Sequence, residues 1–300
     1  MTAAAAIMMI KSNSSIISVM LMLILSLQVS THHLQTTTNV NALSIQSAHA
    51  HHAHHAHAHA HAHRGTNRLF LDTAVQSEWD DLIPTGIFHG ITTNPTLLER
   101  ANHPCTVPAI QALAINALNR VGCDEFMCQS WGSTASDMYK IGMELSSMDR
   151  ARIVIKVPVT KEGTEAARML MESGVRVCLT ACYNSHQAII AAGLGAEYLA
   201  PYLGRMDDNG KDGMGEIKRM RDIVQGMGSS TRIFAASIRD TKSMGDLMCY
   251  NNGSNGSTSS SGLDTFTFNP DVARELFSEA LTDAAALDFE EAAKRGGASS

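Results

Sequence analysis

Short apolar segments rich in Val, Ile and Phe alternate with longer helix-like segments from about residue 68 onward. This alternation indicates parallel strands joined by crossover helices, because parallel neighbours cannot be joined by a hairpin. Eight strand–helix units within about 230 residues suit a single (β/α)8 TIM barrel. A doubly wound open sheet is the alternative, but no glycine-rich turn follows the first strand. The eight strands are predicted at 68–73, 86–92, 125–130, 152–157, 175–181, 197–203, 232–237 and 264–268.

The composition limits the class of protein. A chain of 300 residues, 44% hydrophobic and 17% charged, can bury a core as large as a barrel needs. Its formal net charge is -6, and it has no run of Lys or Arg, so no nucleic-acid partner is expected. Its 6 cysteines include no CxxC pair, and we expect free thiols in a reducing compartment.

Residues 1–30 are predicted to form a targeting leader, because a single Lys11 precedes the apolar run 16–27. That run is too short for a membrane span, which needs ~20 apolar residues. Import into an organelle such as a plastid is expected, with cytoplasmic retention as the alternative.

Three further segments have low complexity. Residues 31–67 are predicted to be a disordered linker that contains a His/Ala tract. Residues 251–262, nearly all Asn, Gly, Ser and Thr, are predicted to form a flexible loop, and 297–300 a polar tail. The catalytic barrel is therefore expected at 68–296.

The histidine tract leaves open a different class of protein. A secreted metal-binding protein with a non-catalytic barrel would need no active site. Such a protein would carry disulfides and glycosylated sequons at Asn252 and Asn255. No cysteine or carboxylate near the tract fixes a metal geometry, so a linker is favoured.

Polar residues stand at or just after the carboxyl ends of seven predicted strands. The carboxyl ends of barrel strands carry the active site, so these residues are candidates for it. They are Asp72, Asn94, Gln129, Lys156, Thr180, Tyr202 and Ser237.

Lys156 is the sharpest candidate, because it interrupts an otherwise apolar strand. Buried lysine is rare, and desolvation favours the neutral amine that attacks carbonyl groups. A lysine whose ammonium reaches the barrel rim is the structural alternative. Asp72 ends the first strand, where it can transfer protons or cap the next helix.

Arg205 and Arg239 follow the sixth and seventh strands, and Ser237 lies beside the second of them. Barrel enzymes often bind phosphate on this side of the mouth, and arginine matches phosphate oxygens with two parallel donors. A phosphate site is therefore predicted here, although each arginine alone is also compatible with a solvated loop charge.

From about Leu69 to Phe289 the chain resembles the transaldolase family, in particular its short-chain branch, which includes fructose-6-phosphate aldolases. Each motif is weak alone, but the set is specific. The motifs are Leu71-Asp72-Thr73, Gly90-Ile91-Thr92-Thr93-Asn94-Pro95, Val154-Ile155-Lys156-Val157-Pro158-Val159-Thr160, Gly195-Ala196-Glu197-Tyr198-Leu199-Ala200-Pro201-Tyr202, Gly204-Arg205-Met206-Asp207-Asp208 and Ala235-Ala236-Ser237-Ile238-Arg239.

The resemblance implies a class I aldolase in which Lys156 forms a Schiff base with C2 of a ketose phosphate such as fructose 6-phosphate. Asp72 would be the general acid and base, and Asn94 would hold a hydroxyl of the dihydroxyacetone unit. No metal or organic cofactor is implied. The remaining implied residues surround the catalytic water or reacting hydroxyl (Gln129, Thr180, Tyr202) or bind the phosphate (Arg205, Ser237, Arg239).

Two positions bear on the reaction within the family. Transaldolases typically have glutamate and phenylalanine where this chain has Gln129 and Tyr202, whereas the aldolases resemble this chain. The resemblance thus implies release of dihydroxyacetone rather than strict transfer to an aldehyde acceptor. It also implies small sugar phosphates as partners and a homo-oligomer. The carboxyl end lacks the aromatic tail by which short-chain members join subunits.

Overall fold

The computed structural model describes residues 67–250 and 262–297. The predictions for the leader, for the linker up to residue 66, for the loop at 251–261 and for residues 298–300 lie outside the described residues.

Eight parallel strands form a closed barrel in which each strand pairs with the next and the first pairs with the last. All eight lie where the sequence predicts them, so the (β/α)8 barrel is confirmed and the open doubly wound sheet is excluded. The strands are β1 (Arg68–Asp72), β2 (Phe88–Thr92), β3 (Glu125–Gln129), β4 (Ile153–Pro158), β5 (Arg176–Cys182), β6 (Tyr198–Pro201), β7 (Arg232–Ile238) and β8 (Thr265–Phe268).

Helices connect the strands, and several begin at side chains that the sequence supplies as caps. Thr134, Thr160, Asp212 and Asp240 each accept a backbone N–H of the helix they precede, which satisfies one of its free donors. The helices are α1 (Gln76–Leu82), α2 (Pro95–Arg100), α3 (Val107–Ile115), α4 (Ala135–Ser146), α5 (Lys161–Glu172), α6 (Gln187–Leu194), α7 (Leu203–Asp208), α8 (Gly213–Gly226), α9 (Thr241–Met248), α10 (Pro270–Glu275) and α11 (Ala280–Arg295).

Large apolar side chains fill the middle of the barrel, so it is a packed core rather than a channel. Gly90 has no side chain here because a Cβ would lie 2.7 Å from the ring of Phe70. This layer supports the polar residues above it at the carboxyl ends of the strands. Its members are Phe70, Met127, Val154, Cys178, Tyr198, Ala200 and Phe234.

Charged side chains close the opposite end of the barrel. The Arg176 guanidinium lies 2.6 Å from Glu125 Oε1, and Tyr198 donates to Glu125 Oε2 at 2.9 Å. We call this group the lower ion network. Its members are Arg68, His89, Asp124, Glu125, Arg176, Glu197 and Tyr198.

Three observations complete the fold. The six cysteines are free, and four of them are buried. The last helix, α11, has no buried residue, and Leu281 and Phe289 on it are largely exposed. Across 67–250 and 262–297, no helix combines the length and the apolar character that a membrane crossing requires.

Candidate active site

A cavity of about 320 Å³ opens at the carboxyl ends of the strands. Its size is at the lower end of the range for small-molecule sites. Seven of the nine residues predicted from the sequence line it, and they come from strands or loops that are far apart in the chain. The seven are Asp72, Asn94, Lys156, Tyr202, Arg205, Ser237 and Arg239.

Lys156 lies at the floor of this cavity with only 5% of its surface exposed. Its Nζ donates to the backbone carbonyl oxygen of Thr93 at 3.0 Å. The lysine therefore does not reach the rim to be solvated, which was the structural alternative. Among the described residues this backbone oxygen is the hydrogen-bond acceptor of the nitrogen, and it fixes the position of the amine in the cavity.

Asp72 is oriented by a hydrogen-bonded chain of hydroxyl groups. Thr92 donates to Asp72 Oδ1 at 2.6 Å, and the hydroxyls of Thr92 and Thr267 are 2.7 Å apart. The cap of α1 is Val75, without a side-chain cap bond, so Asp72 does not serve as a helix cap. Asp72 also lines the cavity.

Tyr202 is held by two neighbouring side chains. The ring of Tyr183 meets it edge-on with centroids 5.6 Å apart, and the Arg205 guanidinium carbon lies 5.3 Å from its centroid. Burial raises the pKa of Tyr202 above its ordinary value, although the charge of Lys156 opposes the rise. The phenol therefore stays protonated at neutral pH and can donate a proton.

Asn94 both caps a helix and lines the cavity. Its Oδ1 accepts the backbone N–H of Leu97 at 3.1 Å and so caps α2. Within the described residues its Nδ2 has no protein acceptor, and this amide group lines the cavity. The side chain can therefore stabilise the helix and still donate to a ligand hydroxyl.

Gln129 and Thr180 are the two predicted residues that do not line the cavity. Thr180 donates to Gln129 Oε1 at 3.3 Å and to the Val157 carbonyl oxygen at 3.2 Å. Gln129 and Lys156 are register partners in the β3–β4 pair. The two side chains thus lie beside the lysine strand and bond to each other.

Cations dominate the rim near β6 and β7. Arg205 and Arg239 both line the cavity with Ser237, whose backbone has a φ of 57°. A non-glycine residue in this left-handed region is uncommon and such strain often accompanies function. It coincides with the irregular register of β7 against β8.

Sequence reasoning missed several residues here. Arg100 and Asp208 line the cavity, and Thr92 and Thr267 hold Asp72. Arg100 and Asp208 lie at the last positions of short helices, where charge is common and carries little signal. The position of Thr92 within the Gly90–Pro95 motif was the available clue for that residue.

No group of three His, Cys, Asp or Glu side chains that could hold a metal ion occurs in the described part of the chain. The histidine tract lies outside it.

A closed parallel barrel with a buried lysine at the floor of a cation-rich cavity has the architecture of a (β/α)8-barrel enzyme. The profile of the family "Transaldolase/Fructose-6-phosphate aldolase" matches residues 69–298. The chain is 31% identical over 227 residues to a probable transaldolase of Leptospira biflexa, covering 76% of this chain and 98% of that protein. It is 32% identical over 216 residues to a probable transaldolase of Kosmotoga olearia, covering 72% and 91%. The chain belongs to the transaldolase/fructose-6-phosphate aldolase family.

Proposed function

We propose that the protein is a Schiff-base enzyme that cleaves ketose phosphates of the fructose 6-phosphate type between C3 and C4. The observation that carries the proposal is the buried Lys156 amine, fixed by one carbonyl at the floor of a cavity that also exposes Asp72. The dihydroxyacetone unit then leaves as free dihydroxyacetone or passes to an aldehyde acceptor.

The first step is attack of the neutral Lys156 amine on C2 of the open-chain ketose. Loss of water from the carbinolamine gives a protonated imine, which acts as an electron sink. Removal of the C4 hydroxyl proton then breaks the C3–C4 bond. Glyceraldehyde 3-phosphate leaves, and an enamine stays on the lysine.

Two side chains in the cavity can move the required protons. Asp72 is held by Thr92 and lines the cavity, so it can take a proton from the C4 hydroxyl. Tyr202 remains protonated because its pKa is raised by burial, so its hydroxyl can give a proton to the enamine carbon.

The charge of the cavity supports a phosphorylated substrate. The lining includes the cations Arg100, Arg205 and Arg239 at its rim. Guanidinium groups match the oxygens of a phosphate with paired donors. Ser237, strained and next to Arg239, adds a hydroxyl donor to the same wall.

Gln129 and Tyr202 favour release of dihydroxyacetone over strict transfer. A tyrosine hydroxyl can protonate the enamine, after which water hydrolyses the imine and frees the lysine. A neutral Gln129, bonded to Thr180, places no carboxylate charge near the imine.

A coupled assay tests the proposal. Fructose 6-phosphate is supplied with and without erythrose 4-phosphate, and free dihydroxyacetone, glyceraldehyde 3-phosphate and the transfer product are measured. We expect dihydroxyacetone to appear without an acceptor, with Lys156→Ala as the inactive blank. Transfer without any free release would make the protein a transaldolase, and no cleavage under either condition would overturn the proposed function.

A further inference from the structure

Two of the three arginines at the rim of the cavity, Arg205 and Arg239, differ in their partners. Arg239 Nη1 lies 2.6 Å from Asp208 Oδ1, and Nη2 bonds the second oxygen of the same carboxylate. Arg205 lies over the ring of Tyr202 and makes no side-chain ion pair with any described residue. One arginine is thus open to a ligand, and the other already binds an anion of the protein.

Asp208 occupies the two donors through which Arg239 would bind a phosphate. Side-by-side pairing is the geometry that arginine also uses with phosphate oxygens. Asp208 lines the same cavity, at the last position of α7. Its carboxylate is also close enough to interact with the charge of Arg205.

The surrounding contacts allow Asp208 to leave while Arg239 stays. Gly204 lies under the stem of Arg239, since a Cβ there would come within 2.5 Å of Arg239 Nε and 2.7 Å of the Ser237 carbonyl oxygen. The arginine stem is therefore packed against backbone. The Asp208 and Arg239 side chains are both about half exposed, and exposed ion pairs are weak, so rotation of the carboxylate into solvent costs little.

We propose that Asp208 is an internal counter-ion that holds Arg239 in the empty site and is displaced by the phosphate dianion of the substrate. This inference rests on the proposed function, and it makes Asp208 a residue that weakens phosphate binding by competing for Arg239. A dianion has about twice the charge of the carboxylate and can replace it. A neutral hydroxyl or a monoanion competes poorly for the same donors, so Asp208 remains paired with Arg239 when such ligands bind.

The test compares the wild-type protein with Asp208→Asn and Asp208→Ala, using inorganic phosphate as the probe. Dissociation constants come from titration calorimetry, and KM is measured for fructose 6-phosphate and for fructose. Asp246→Asn is the matched control, because it removes an exposed carboxylate that pairs with Lys242 outside the cavity. The full-length chain is used throughout.

We expect both Asp208 variants to bind inorganic phosphate about 2- to 5-fold more tightly than wild type, the range for losing one exposed ionic competitor. The ratio of KM for fructose to KM for fructose 6-phosphate should rise by a similar factor, and both effects should shrink at high salt. The Asp246→Asn control should match wild type.

Failure of the inference about Asp208 and failure of the proposed function give different results. If wild type prefers fructose 6-phosphate but the Asp208 variants bind phosphate equally well or more weakly, Asp208 merely positions Arg239 and the inference is overturned. If wild type neither binds phosphate nor prefers the phosphorylated ketose, the phosphate site and the proposed function fall together.

Discussion

At the residue scale, Tyr202 makes two contacts that can be separated by mutation. Its hydroxyl is the proposed proton donor, while its ring lies under the guanidinium of Arg205. The ring attracts the cation through its face, and phenylalanine keeps that attraction. Leucine removes both the hydroxyl and the aromatic face.

We predict that Tyr202→Phe lowers the release of free dihydroxyacetone at least ~10-fold, the loss expected for one positioned proton donor. Transfer to erythrose 4-phosphate should fall less or rise, and inhibition by inorganic phosphate should stay as in wild type. Tyr202→Leu should in addition weaken phosphate inhibition, because Arg205 loses the aromatic ring over which its guanidinium lies. Both rates and the inhibition constant are measured on each variant. Normal release by Tyr202→Phe would contradict the role of the hydroxyl.

Individual site residues were predictable where they interrupt an apolar strand. Lys156 and Asp72 stand out in this way, because a charged side chain at the end of a buried apolar run is rare unless it is paired or functional. The pairing of Asp208 with Arg239 was not predictable, because it depends on two loops meeting at the rim. The bond from Thr92 to Asp72 depends likewise on the register of β1 against β2.

At the element scale, the lower ion network ties the starts of five strands together: β1, β2, β3, β5 and β6. Burial alone would raise the pKa of Glu125, but its contacts with His89 and Arg176 outweigh burial and lower it to about 2. Burial alone would lower the pKa of His89, but Asp124 and Glu125 outweigh it and raise it above 6.5. His89 Nε2 lies 3.1 Å from Glu125 Oε1 without hydrogen-bond alignment, so we treat this contact as ionic.

These two shifts predict a pH window for stability. Because the pKa of Glu125 is lowered, the carboxylate stabilises the folded protein at pH values above its ordinary pKa of 4.5. That stabilisation is lost as the pH falls toward about 2. The raised pKa of His89 adds stability below 6.5 that is lost as pH rises through the folded value. The network should therefore contribute most between 4.5 and 6.5.

We predict that His89→Gln loses about 1 kcal/mol of unfolding free energy near pH 6 and less near pH 8.5, the scale of one charge-assisted contact. Urea unfolding at the two pH values measures the difference. The exposed His186→Gln is the control and should show the wild-type pH dependence. An equal loss for His89→Gln at both pH values would show that only packing was removed.

Elements were easier to predict than their irregularities. Eight apolar runs gave eight strands because a strand buried on both faces reads as a continuous apolar segment. The bulges in β5 and β7, with Ala181 and Ser237 at positive φ, were not predictable. Such irregularities are common at the rims of barrels and beside active sites, and neither residue type signals them in the sequence.

At the scale of the whole molecule, the barrel closes on itself within the described residues. β1 begins at Arg68 and pairs with both β2 and β8, and the described residues that line the cavity run from Asp72 to Asn269.

We predict that deletion of residues 1–63 leaves the melting temperature and kcat/KM for fructose 6-phosphate close to those of the full chain. Deletion through residue 71 is the control and should prevent folding, because it removes β1 from the closed sheet. An insoluble or inactive protein after the shorter deletion would show that the leader packs against the barrel.

The central claim is that Lys156 forms the covalent intermediate. Sodium borohydride reduces an imine to a stable amine, so the protein is treated with borohydride and fructose 6-phosphate, digested and analysed by mass spectrometry. We predict an adduct on the peptide that contains Lys156, lost in Lys156→Ala and kept in Lys161→Ala, which removes an exposed lysine near the same strand. An adduct on any other lysine, or none while the ketose is still cleaved, would contradict the account.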